Sequence, residues 1–173
     1  MKKGIVVVIV LILVVGVGAY FLLFGQSFNY PDQVLDYKLT KVDDSSKWVR
    51  NLIDGCGDFN AEGATEFGKV CVDTIRLEYK DNNQNRGVFI RSMKITEGRE
   101  LYESFFNIRS SPIQISSNSV FKLEDSEIGW WTANDRLILT TEYEFEGTSY
   151  SYGSASGANP ITKWFLEEYP PIE

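Results

Sequence analysis

Thr-Ile-Arg-Leu-Glu-Tyr-Lys (74–80), Asp-Asn-Asn-Gln-Asn-Arg (81–86) and Gly-Val-Phe-Ile-Arg-Ser-Met-Lys-Ile (87–95) run without a break in this chain. Ile75, Leu77 and Tyr79 fall on one face of an extended backbone, and Arg76, Glu78 and Lys80 fall on the other. That period of two belongs to a strand with one packed and one wetter face. The polar run 81–86 supplies the turn. The chain then returns over 88–95 with Phe89, Met93 and Ile95 on one side. An antiparallel hairpin is therefore the first element the residues dictate.

Downstream, a helix is expected from Thr96, with Leu101, Tyr102, Phe105, Phe106 and Ile108 as its apolar stripe and Ser110-Ser111-Pro112 as its stop. Residues 113–116 and 120–123 are short strands. Residues 127–132 and 136–145 pair around the turn Ala133-Asn134-Asp135. In the second arm Leu137, Leu139, Tyr143 and Phe145 point one way, Glu142 and Glu144 the other. A Gly/Ser/Tyr loop covers 147–158. Asn159 then caps a final helix with Pro160 at its first position. Ile161, Trp164, Phe165 and Tyr169 form that helix's stripe, expected against the Leu137, Leu139 and Tyr143 face, and Pro170-Pro171 end it.

Upstream, 37–42 is a strand. Asp44 or Ser45 caps a short helix carrying Trp48, Val49, Leu52 and Ile53, which Gly55 terminates. Residues 55–68 are an acidic, glycine-rich loop, and no internal repeat is present. The order predicts an α+β fold, an antiparallel sheet packed by about three helices and preceded by one N-terminal transmembrane helix.

That leading segment, 4–24, carries no charge, and none occurs between Lys3 and Asp32. At about 1.5 Å per residue it reaches roughly 31 Å, the thickness of a bilayer's hydrocarbon core. Lys2 and Lys3 precede it and the next basic residue is Lys38. The N-terminus is therefore assigned to the cytoplasm and the rest of the chain to the extracellular or periplasmic side. The organisation is a signal-anchor at 1–25, a linker at 26–36 and an extracytoplasmic domain at 37–173. Val17-Gly18-Ala19 would suit a signal cleavage, but Phe-Leu-Leu-Phe follows at once and would leave an apolar stub. Lys2-Lys3-Gly4 looks like the processing site of pilin-like precursors, although Ile9 stands where those carry Glu.

All 24 acidic residues follow the anchor, against 15 basic ones once Lys2 and Lys3 are set aside, so the domain carries about −9. Nucleic acid, whose phosphates need clustered Lys and Arg, is excluded as a partner. Cys56 and Cys71 lack the Cys-x-x-Cys spacing of redox sites, and in an exported domain they are expected as a disulfide. Closing that loop is worth on the order of 3 kcal/mol in the chain-entropy picture.

The sequence has no histidine, which removes Ser-His-Asp and Cys-His catalysis and histidine metal sites. Nothing singles out a carboxylate pair among the acids, so no catalytic residue, no cofactor and no enzyme activity is expected. Asp58, Asn60, Glu62 and Gly63 partly match a calcium loop, with Asp54 and Glu66 nearby, but Lys69 stands where the closing carboxylate belongs. Trp130 and Trp131 occupy opposite faces of one strand. With Tyr143, Tyr150 and Tyr152 they are the candidate surface for a protein or glycan partner.

Ile128-Gly129-Trp130-Trp131-Thr132, Leu137-Ile138-Leu139, Asn159-Pro160 and Phe165-Leu166-Glu167-Glu168-Tyr169-Pro170 together make a recurring ending. It resembles that of small, membrane-anchored archaeal and bacterial surface proteins of unknown function. The resemblance implies an exported prokaryotic domain and brings no catalytic residue. Two functions from different classes follow: a membrane-tethered extracytoplasmic binding module, or a pilin-like structural subunit of a surface or secretion assembly.

Overall fold

The structure, a computed structural model, describes residues 28–43, 56–59 (backbone alone), 68–123, 126–146, 149–153 and 159–172. Two compact units divide the chain at Pro31 and Asp32. In the described end of the first, the rings of Phe28 and Tyr30 lie 6.2 Å apart and tilted.

The second unit is built on one antiparallel sheet of ten strands. Its strands are β1 (Gln33–Val34), β2 (Tyr37–Asp43), β3 (Cys56–Phe59), β4 (Gly68–Lys80) and β5 (Arg86–Glu97), then β6 (Ser110–Ile115), β7 (Asn118–Leu123), β8 (Glu127–Trp131), β9 (Arg136–Glu146) and β10 (Ser149–Tyr152). Across the sheet the order is β1-β2-β4-β5-β9-β8-β7-β6, with β3 pairing β4 and β10 pairing β9. Two helices interrupt the strands, α1 (Arg99–Arg109) and α2 (Pro160–Glu168).

The fold is therefore sheet-dominated with two helices among the described residues, not the expected α+β arrangement with about three. Part of the physical reason is visible at β5, which continues to Glu97 through positions expected to start a helix. Gly98, at φ 78°, supplies the left-handed turn into α1. Three further strands also escaped periodicity: β1 lies in the expected linker, and β3 and β10 lie in expected loops. The expected helix near 45–53 and the apolar segment 4–24 lie outside the described residues. Among the described residues no helix is long and apolar enough to cross a membrane.

Turn chemistry joins the strands. Asp81 Oδ1 accepts from the Asn85 N–H at 3.0 Å in the β4–β5 loop, where Gln84 adopts φ 58°. Asp135, at φ 56°, closes the Ala133-Asn134-Asp135 turn, and the Thr132 N–H donates to the Arg136 carbonyl at 2.9 Å. Ser116, at φ 58°, turns β6 into β7.

Each helix covers one face of the sheet. On the α1 face, Tyr102 packs into a cluster of Val70, Val72, Met93, Ile95, Leu123, Leu137 and Leu139. Gly129 belongs to this face because Phe121 and Leu139 press on it, and a Cβ there would collide with both. Arg99 lies 4.9 Å over the Trp131 ring and bonds Glu103 and Asp135, tying the start of α1 to the β8–β9 turn.

The α2 face buries Leu77, Tyr79, Val88, Ile90, Ile138, Ile128 and Trp130. Phe165 meets Tyr79 edge-on at 6.3 Å, and Trp130 Nε1 donates to the Tyr169 carbonyl at 2.7 Å. The last helix thus does not rest on Leu137, Leu139 and Tyr143, which occupy the opposite face. Its buried residues are Ile161, Thr162, Phe165 and Leu166, so the stripe is rotated and Trp164 sits at its edge.

Phe165→Ala is expected to cost about 3–5 kcal/mol and Trp164→Ala only about 1–2 kcal/mol. Denaturant melts check this, and equal losses would place Trp164 in the core. Cys56 stands directly opposite Cys71 in the β3–β4 register, not in a loop. Opposed antiparallel residues have Cα atoms roughly 4.5–5.5 Å apart, inside the range a disulfide spans. The purified protein is accordingly expected to contain no titratable thiol, and reduction to lower its melting temperature by several degrees.

Candidate functional site

On the α1 face the helix covers only one end of the long strands. Alternation along β4 carries that face from Val72 through Thr74 to Arg76 and Glu78, while register brings Phe89 opposite Glu78 and Tyr143 opposite Gly87. On the other side of β4, Lys41 is paired with Glu78 and Asp43 with Arg76. The apolar half of the face lies under α1. The charged and aromatic half is left to solvent and forms a groove of about 220 Å³.

Lys41 and Asp43 of β2 line one side of this groove, Arg76, Glu78 and Phe89 its floor, and Tyr150 and Tyr152 of β10 the far wall. β10 reaches this position by pairing with the end of β9, Tyr152 opposite Tyr143 and Tyr150 opposite Phe145. Both tyrosines remain exposed, at 49% and 58%.

An aromatic ladder connects the two sides. The Arg76 guanidinium lies 4.3 Å over the Phe89 ring, Phe89 stacks on Tyr143 at 4.5 Å, and Tyr143 meets Tyr150 edge-on at 5.2 Å. Gly87 permits this, since any Cβ there would occupy the space of the Tyr143 ring. Spanning that gap, the Tyr143 hydroxyl donates to Glu78 Oε1 at 2.6 Å, and Lys80 Nζ approaches the same oxygen at 3.3 Å. Burial first, then the Glu78 bond, pushes the Tyr143 phenol far above its ordinary range, so it remains a donor at any working pH.

Arg76 and Arg91 stand directly opposite each other across β4 and β5, an unfavourable like-charge pair. They diverge. Arg76 turns onto Phe89, and Arg91 reaches toward Glu127 at 3.8 Å, whose Oε1 also accepts from the Thr141 hydroxyl at 3.1 Å.

Of the aromatic residues singled out by sequence, Tyr150 and Tyr152 line the groove and Tyr143 supports it from beneath, 2% exposed. Trp130 and Trp131 are elsewhere: Trp130 is core on the α2 face, and Trp131 lies half-buried beneath Arg99. Sequence reasoning missed Lys41, Asp43 and Phe89 as lining, and placed Arg76 and Glu78 only on a wet strand face. The calcium-loop residues 54–66 have no described side chains. Among the described residues no cluster of three or more potential metal ligands is present. The groove offers donors, acceptors and flat aromatic surface, an arrangement suited to binding.

No protein-family model matches this chain, and no curated protein and no solved structure matches it either.

Glu142 projects to the other face, half-buried, and its Oε1 has no hydrogen-bond partner among the described residues. Burial holds its carboxyl above the usual carboxylate range. A raised acid favours folding while protonated, and that contribution is lost as pH rises through the folded-state value. Glu142→Gln stays neutral throughout. It is expected to melt higher than the parent at neutral pH and level with it in acid, as thermal scans across pH would record. A lower melting temperature at neutral pH would mean the carboxylate has a partner.

Proposed function

We propose that this chain is a membrane-tethered extracytoplasmic binding module, with the groove between β2 and β10 as its ligand site. The observation that carries the reading is the exposed pair Tyr150 and Tyr152 set beside four charged side chains. Tyr150 packs against Tyr143 and Phe145, but 49% of it and 58% of Tyr152 stay in water at an edge strand. Aromatic groups at the margin of a concave polar surface are the usual anchors of recognition.

The address rests on the sequence. An uncharged segment at 4–24, preceded by Lys2 and Lys3, supports insertion in the bilayer with the domain on the far side. The acidic balance of the domain supports a partner other than nucleic acid or an anionic lipid surface.

Occupancy in the native envelope provides the test. The full chain should resist alkaline extraction from membranes and be cut by protease added to the outside of cells or spheroplasts. Radical footprinting should modify Tyr150 and Tyr152 less in native envelopes than in purified protein reconstituted in phospholipid nanodiscs. Extraction by alkali would overturn the tether, and equal modification would overturn the groove as the site.

A further inference from the structure

The floor of the groove carries its charges in a checkerboard. Lys41 is cross-strand to Glu78, and Asp43 is cross-strand to Arg76. Along β2 the signs alternate from Lys41 to Asp43, and along β4 from Arg76 to Glu78. Residues of opposite charge therefore neighbour each other in both directions, on backbone positions about 5 Å apart across the strands and about 7 Å apart along them. The four sum to zero in a domain whose remaining charge is strongly acidic. At long range the signs of these four largely cancel, with Lys80, outside the lining, adding one positive charge beside Glu78. At close range the lattice presents strong donors and acceptors side by side.

The aromatic part of the groove narrows the choice further. An aromatic cage for an ammonium group needs vacant ring faces. Here Phe89 carries the chain's own Arg76 guanidinium on one face and stacks against Tyr143. An organic cation would have to displace a built-in one, and Lys41 would repel it. An anionic ligand would meet Asp43 and Glu78. The rings left most open are Tyr150 and Tyr152, two residues apart on one face of β10 and about 7 Å from each other along the strand.

From this juxtaposition we infer that the groove binds an uncharged oligosaccharide, an inference that rests on the groove being the ligand site. The apolar C–H face of a sugar ring lies on Tyr150 or Tyr152. Its hydroxyls, each both donor and acceptor, bridge the alternating carboxylates and cationic groups of the floor. Neighbouring hydroxyls fit this lattice because each can donate to Asp43 or Glu78 and accept from Lys41 or Arg76. Tyr143, held by Glu78 beneath, keeps the floor rigid, so little ordering is needed on binding.

The test uses the full chain in phospholipid nanodiscs, free of glycoside detergents. Three sets of immobilised probes are compared: neutral hexose and N-acetylhexosamine oligomers, the same lengths bearing uronate or sialate, and extended peptides. At least one neutral oligomer is expected to bind, with little dependence on salt. The double variant Tyr150→Ala/Tyr152→Ala, with folding checked by its melt, should weaken that binding about tenfold or more. Binding of acidic oligomers or peptides alone, lost in the double variant, would overturn the saccharide inference and leave the groove as the site. Peptide binding of that kind would point to strand addition at the edge of β10. Neutral-oligomer binding undiminished in the double variant, or no binding by any probe, would overturn the inference and the groove reading together.

Discussion

Nine successive residue pairs between β5 and β9, from Arg86 with Glu144 to Lys94 with Arg136, fix the side of the sheet on which every neighbouring side chain lies. A slip of one residue would exchange the two faces, because side-chain direction has a period of two. In a slip of β9, Leu137 and Leu139 would leave the cluster under α1 and Ile138 the core under α2, while Met93 and Ile90 of β5 kept their places. The same slip would turn Tyr143 to the other face and away from the Phe89 ring it stacks on. Core and site therefore depend on one register, and β4 extends it by pairing along the other side of β5.

Both faces of this sheet are packed, but they are packed differently. The α2 face is covered by a helix whose C-terminal tail is tied to β8, through Trp130 Nε1 to the Tyr169 carbonyl and the Ile172 N–H to the Trp131 carbonyl. The α1 face is covered for part of its length only. Where α1 ends its coverage, alternation continues with Arg76, Glu78 and Phe89 in place of Val70, Val72 and Met93. The groove is thus a consequence of long strands beneath a short helix. Aromatic rings support it from inside, with a glycine at the position where the Tyr143 ring must cross.

Gly87 and Gly129 perform the same service at two places on this face. Gly87 makes room for Tyr143 and Gly129 for Phe121 and Leu139. In each case a large neighbour lies over a backbone that lacks a side chain of its own, which recovers packing that a strand glycine forfeits. At one place the result is sealed core. At the other it is a rigid floor open to solvent, which is the form a preorganised binding surface requires.

The sequence by itself determined the hairpin at 74–95, the second hairpin around Ala133-Asn134-Asp135, the Asn159-Pro160 start of the last helix and the opposite facing of Trp130 and Trp131. All of these rest on local period or cap chemistry, which neighbouring residues carry. It also marked Tyr150 and Tyr152 as aromatic residues without an obvious core role. It did not show that β10 is a strand, because four alternating Ser and Tyr residues in a glycine-rich context lack an apolar run. It assigned the last helix to the wrong face, since Leu137, Leu139 and Tyr143 are the apolar side of β9, whereas the apolar residues of the α2 face lie mostly on other strands, among them Leu77, Tyr79, Val88, Ile90 and Trp130. Only the tertiary structure brought Lys41 and Asp43, more than thirty residues upstream, beside Arg76 and Glu78. Cross-strand pairing between distant segments leaves no trace in local spacing, and it is such a pairing that sets β2 beside β4 along the groove.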